Sequence, residues 1–158
     1  MRVYDLHTQI RLSSPLEEVF QFFANPHNLE IITPRWLHFH VLTPKPIQIE
    51  EGTTIDYKLR IRGIALRWQS EITSWVPPFG FTDEQRKGPY RQWIHKHTFE
   101  EADGMTVVGD HVRYAVLGGN LINQLFVKRD IEKIFEFRAN QLRKIFDGID
   151  IVVGRRRY

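Results

Sequence analysis

Residues 105–146 read MTVVGDHVRYAVLGGNLINQLFVKRDIEKIFEFRANQLRKIF, and the chain changes period inside them. Val108, Asp110, Val112, Tyr114 and Val116 fall on every second position, so a strand here puts all five on one face. Gly118-Gly119 ends the alternation. Beyond it Ile131, Ile134, Phe135, Leu142, Ile145 and Phe146 recur at helical spacing, with Arg, Lys and Glu between them. That spacing predicts a long amphipathic helix within Leu121–Phe146, either unbroken or starting near Lys128 after a shorter turn at Leu121–Phe126. A sheet with one apolar face must bury it, and this helix is the only element large enough to cover it.

Upstream of this stretch the strand pattern repeats. Residues 88–100, GPYRQWIHKHTFE, open on a Gly-Pro turn and then place Trp93, His95, His97 and Phe99 on one face. Phe79–Lys87 supplies the other half of that hairpin, and Ala102-Asp103-Gly104 turns the chain into the run at Met105. Thr53–Arg62 and Ile64–Trp75 alternate on either side of Gly63, and residues 3–12 alternate as well. Ser14-Pro15-Leu16-Glu17 has the form of a capping box with proline at the first helical position. The helix it predicts carries Leu16, Val19, Phe20 and Phe23 on one face and ends near Asn25-Pro26. A short helical stretch from about His27 to Ile32 follows, then Trp36, Leu37 and Phe39 lead into a strand ending at Thr43-Pro44.

The predicted class is α+β: a curved antiparallel sheet of six or seven strands around a long C-terminal helix, with two short helices after the first strand. One domain over residues 1–148 is expected, closed by Gly148, with 149–158 as a basic tail. A sheet bent around a helix leaves a cavity between the layers, a usual place for apolar ligands.

Composition narrows the function classes. The chain has 158 residues, and 42% apolar and 13% aromatic content excludes a disordered reading. A net charge of +3, much of it in Arg155-Arg156-Arg157, gives little support to nucleic-acid binding. Without cysteine there are no disulfides and no thiolate metal sites. No apolar run approaches the roughly 20 residues of a membrane span, and the first residues lack a signal-peptide core. The expectation is a soluble, cytoplasmic domain with no cofactor.

Three segments carry a family likeness. Pro15-Leu16-Glu17-Glu18-Val19-Phe20-Gln21-Phe22-Phe23 is similar to a P-x-E-x-V-F-x-F-F first helix, and Asn28-Leu29-Glu30-Ile31-Ile32-Thr33-Pro34 to an N-L-x-x-I-T-P segment. Phe81, Asp83, Gln85, Gly88-Pro89-Tyr90, Trp93, His95, His97 and Phe99 resemble a signature of one bacterial subgroup. On these residues the chain resembles the START/Bet v 1-like (SRPBCC, polyketide cyclase/dehydrase-like) superfamily over roughly residues 3–147. The resemblance implies the helix-grip fold. It implies no particular activity, because the superfamily includes lipid carriers, hormone receptors, ubiquinone-binding proteins and aromatase/cyclases.

The candidate site is the polar row in the middle of this pattern. His95 and His97 lie about 6.5–7 Å apart along one strand face, close enough to converge on one ion. A second pair, His38-x-His40, lies near another strand. Asp83 and Asp110 could add oxygen, but no third ligand is spaced with the histidines and no H-E-x-x-H appears, so no metal is expected. An acid–base reading needs a carboxylate beside a histidine. If the hairpin turns so that Phe99 faces Thr106, His97 lies opposite Val108 and His95 opposite Asp110; a one-residue slip reverses the faces. Asp83 and Gln85 join that face only if the Gly88-Pro89 loop is odd in length.

The expected partner is therefore a hydrophobic small molecule: a lipid, quinone, isoprenoid or polyketide-like compound. Its pocket would be formed by Asp83, Gln85, Trp93, His95, His97, Phe99, Asp110, Val112, Tyr114 and Phe135. The alternative is a cyclase/dehydratase-type enzyme with His95 as base, Asp110 orienting it and Tyr114 as acid. A third reading is a protein-binding module with a filled core.

Overall fold

The computed structural model describes residues 1–147. The expected stop at Gly148 and the basic tail lie outside the described residues. The elements, in chain order, are strand β1 (Tyr4–Leu12), helix α1 (Leu16–Phe23) and two 3-10 turns, Pro26–Glu30 and Arg35–Leu37. Six strands follow: β2 (His40–Val41), β3 (Thr54–Ile61), β4 (Ile64–Val76), β5 (Gly80–Lys87), β6 (Gln92–Ala102) and β7 (Met105–Ala115). Helix α2 (Gly119–Ile122), a π-helical stretch at Asn123–Val127 and helix α3 (Lys128–Asp147) then run on without a break. The strands form one seven-stranded sheet in the order β1-β7-β6-β5-β4-β3-β2, antiparallel throughout. The α+β arrangement expected from the change of period, an antiparallel sheet followed by a long C-terminal helix, is the one observed.

The alternation becomes burial in a simple way. In β3 Ile55, Tyr57 and Leu59 point inward, and in β6 His95, His97 and Phe99 do the same, each separated by exposed residues. From α3, Ile131, Phe135 and Leu142 bury against the sheet. Helix α1 seats Phe20 edge-on against Phe81 and Phe99 and tilted against Trp75, which closes one end of the layer. Two apolar clusters result. One is built on Phe20, Leu12 and Leu142, the other on Val112, Tyr114, Ile131 and Phe135.

Local departures from the expected pattern have clear causes. The helix starts one residue later than the capping box predicts: Pro15, at φ −59 and ψ 145, is the N-cap of α1 and not its first helical residue, and the Ser14 hydroxyl donates to Phe146 O instead of capping. Pairing between β4 and β5 shifts at Thr73 and again at Arg86. The extra residue at Thr73 flips the parity, so that Trp75 turns inward with Ile72 although the two are three apart. The strand expected after Phe39 is reduced to His40–Val41, because Arg35–Leu37 coils and His38 takes a left-handed turn at φ 45.

The β6–β7 hairpin has a two-residue turn, Asp103-Gly104, with φ 54 and 76, and it pairs Ala102 with Met105. His95 is therefore opposite Val112, and His97 is opposite Asp110. The register expected from Phe99 facing Thr106 is corrected by two residues. A shift of two keeps every side chain on its face. Across the other hairpin Asp83 pairs with His95, so the Gly88-Pro89 connection does bring Asp83 to the same face.

Candidate ligand-binding site

Strand β6 holds two imidazoles two residues apart, and its neighbours supply one carboxylate each. Asp83 on β5 is directly across from His95, and Asp110 on β7 is directly across from His97. The short bonds run on the diagonals. His95 Nε2 lies 2.7 Å from Asp110 Oδ1, and His97 Nε2 lies 3.1 Å from Asp83 Oδ2. The two rings are tilted by 33° to each other with centroids 3.7 Å apart, and His97 stacks in turn on Phe81 at 4.1 Å. His97 Nδ1 is 3.2 Å from Asp110 Oδ1 but forms no hydrogen bond with it, so that contact is electrostatic only. Ser70 donates to Asp83 Oδ1, and Thr8 donates to Asp110 Oδ2. Each carboxylate oxygen thus already accepts a hydrogen bond.

Charge in this network follows from burial and pairing. Burial and the nearby His97 charge lower the His95 pKa to about 4, although Asp110 and Asp83 act against them. His95 is therefore neutral near neutral pH, and its Nε2 carries the proton given to Asp110. Burial also disfavours charge on His97, but Asp110 and Asp83 outweigh it and its pKa is raised. Burial pushes both carboxyls up, and the two histidines more than offset this, so Asp83 lies below the ordinary carboxylate value and Asp110 well below it.

Arg138 of α3 reaches the same cluster from the helix side. Its Nη1 is 3.7 Å from Asp110 Oδ1, its side chain is 11% exposed, and its guanidinium lies over the Phe135 ring. Both Nε and Nη1 are buried without a hydrogen-bond partner among the described residues. The sequence reading passed over Arg138 as one of the polar residues of an amphipathic helix. A signal was present: Ile131, Phe135, Arg138 and Leu142 are spaced by four, three and four, so this arginine sits on the apolar stripe.

These groups border a cavity of about 360 Å3 between the sheet and the long helix. Its walls are mostly apolar: Ile55, Tyr57 and Leu59 from β3, Trp68 and Ile72 from β4, and Ile131, Ile134 and Phe135 from α3. Its polar lining includes Ser70, Asp83, His95, His97 and Arg138. Of the residues expected at the pocket, Asp83, Trp93, His95, His97 and Phe135 line it. Asp110 stands behind the histidines, Phe99 is in the α1 core, and Val112 and Tyr114 are in the second apolar cluster. Gln85 is turned to the backbone of Tyr90, bonding its N–H and its carbonyl. His38 and His40 are exposed and apart from this cluster.

The site also tests the metal question. Asp83, His95 and His97 bring ligand atoms within 4.8 Å of one another, so a third donor does exist in space. Their short contacts are already bonds between imidazole and carboxylate, and the Arg138 charge beside Asp110 opposes a divalent cation.

No protein-family model and no curated protein matches the sequence. Solved structures do match. Protein CV1439 from Chromobacterium violaceum is 14% identical with a TM-score of 0.71, over 91% of this chain and 98% of that one. Major latex-like protein 151 from Panax ginseng is 13% identical with a TM-score of 0.67, over 91% and 97%. Ara h 8.0201 is 14% identical with a TM-score of 0.62, over 89% and 98%. The chain has the helix-grip fold of the START/Bet v 1-like superfamily. At these identities the likeness carries the fold and leaves the ligand to the chemistry of the cavity. No described helix is long and apolar enough to cross a membrane.

Proposed function

We propose that the helix-grip cavity binds a hydrophobic or amphipathic small molecule, such as a lipid, quinone, isoprenoid or polyketide-like compound. The observation that carries this reading is the cavity itself: about 360 Å3 of space with aromatic and aliphatic walls and one polar cluster at its side. Pockets for small organic ligands have this size and this balance, with apolar burial supplying affinity and a few polar groups fixing orientation. Native mass spectrometry of freshly purified protein tests it, together with titration by the apolar fluorophore N-phenyl-naphthylamine. A co-purified small molecule or saturable enhancement of the probe supports the reading. Apo protein that also leaves the probe unbound overturns it.

A second reading, a cyclase/dehydratase-type enzyme, is favoured by the 2.7 Å His95–Asp110 pair beside the cavity. Two features weigh against it. A histidine whose pKa is lowered to about 4 is a weak base, and Tyr114 does not line the cavity as an acid would have to. Turnover of a polyketide-like substrate that His95→Gln abolishes, with binding retained, would favour the enzyme. Binding retained without turnover in either protein favours a carrier.

A further inference from the structure

We propose that the molecule held in this cavity carries a carbonyl oxygen, bound by the free N–H groups of Arg138, and that the cavity selects such neutral carbonyl compounds over free acids. The inference rests on the small-molecule reading above and names the chemical class.

A guanidinium has five N–H donors and no acceptor. Arg138 is mostly enclosed among cavity-lining residues, and its Nε and Nη1 are buried with no hydrogen-bond partner among the described residues. A buried donor left unpaired costs free energy that an acceptor can recover. Asp110 is close enough, at 3.7 Å, to balance the charge but too far to accept a hydrogen bond. The sheet side offers the reverse picture. Asp83 and Asp110 have each oxygen engaged by Ser70, His97, His95 or Thr8. On the helix side the surplus is therefore in donors, and the group that Arg138 lacks is an acceptor.

Charge separates a carbonyl from a carboxylate. Asp83 and Asp110 are opposed by Arg138 and, when it is protonated, by His97. With His97 charged the set is neutral, and with His97 neutral it carries one negative charge. In either state a carboxylate would bring unmatched charge into an apolar cavity beside Asp83, whereas a ketone, ester or quinone oxygen brings none.

A matched series tests this: methyl laurate, lauric acid and dodecane, titrated at mildly alkaline pH into the wild-type protein and Arg138→Met. The readouts are calorimetry and the fluorescence of Trp68 and Trp93, which line the cavity. Methyl laurate is expected to bind wild-type protein about tenfold or more tighter than dodecane or the acid, the ratio of one charge-assisted hydrogen bond. In Arg138→Met the preference for ester over alkane should vanish. The wild-type series stands alone if that variant does not fold. Equal binding of ester and alkane to wild-type protein overturns the Arg138 anchor and leaves the cavity reading intact, and tighter binding of the acid overturns the selection for neutral carbonyls. Binding of none of the three overturns both readings.

Discussion

His95 is a neutral imidazole enclosed by carboxylates and aromatic rings, and acid is the way to force a charge onto it. In the unfolded chain it takes up a proton near its ordinary value of 6.5, but in the folded protein only at about 4. Between those values the unfolded state binds more protons, so stability falls as pH drops, by up to roughly 3 kcal/mol. His97 has the opposite sign. Its folded pKa is raised, so its contribution is complete below the ordinary histidine value and is lost as pH rises through the folded one. Asp83 and Asp110 contribute above the ordinary carboxylate value and lose that contribution as pH falls through their lowered folded values. Urea midpoints across pH should therefore slope downward into acid for the wild type, and His95→Gln should flatten the part of that slope above about 4. At this scale the sequence was readable where polar residues interrupt an apolar alternation, as His95, His97 and Asp110 do. It was unreadable where partners come from different elements. Asp83 meets the histidines only through a pairing of β5 with β6 that a sequence pattern leaves open, and Arg138 meets them only through the docking of α3.

Two substitutions test separate elements. Gly104 sits at φ 76 in the β6–β7 turn with open space where a Cβ would go. Gly104→Ala should therefore cost about 1 kcal/mol from backbone strain alone, read from a urea midpoint. Phe20 is 1% exposed and touches three aromatic rings from β4, β5 and β6. Phe20→Ala should cost about 3–5 kcal/mol, and the same measurement will distinguish it from a surface change. The contrast explains what was legible. Element type followed from periodicity, since periods of two and near four are read directly from side-chain spacing. Register did not, because Asp103-Gly104 can close a hairpin with more than one loop length. The bulge at Thr73 is also hidden from the pattern: strict alternation from Ile72 would turn Trp75 outward, and one extra residue turns it inward.

The molecule as a whole is two apolar clusters joined by one helix and one sheet, with the cavity between the layers. Ile134 of α3 lines that space. Ile134→Phe, which narrows the cavity, should weaken N-phenyl-naphthylamine binding by about tenfold while changing the unfolding free energy, measured by urea titration, by less than about 1.5 kcal/mol. Loss of stability without loss of probe binding would count against the cavity as the binding place. The sheet order has a separate consequence. Among the described strands β1 comes first in the chain, and its only neighbour among them is β7, which comes last, with Tyr4 paired to Tyr114. On the ribosome, then, β1 must wait for every other described strand to emerge before it can pair. Its main-chain groups stay open to other chains for that interval, and folding is a late event dominated by distant contacts.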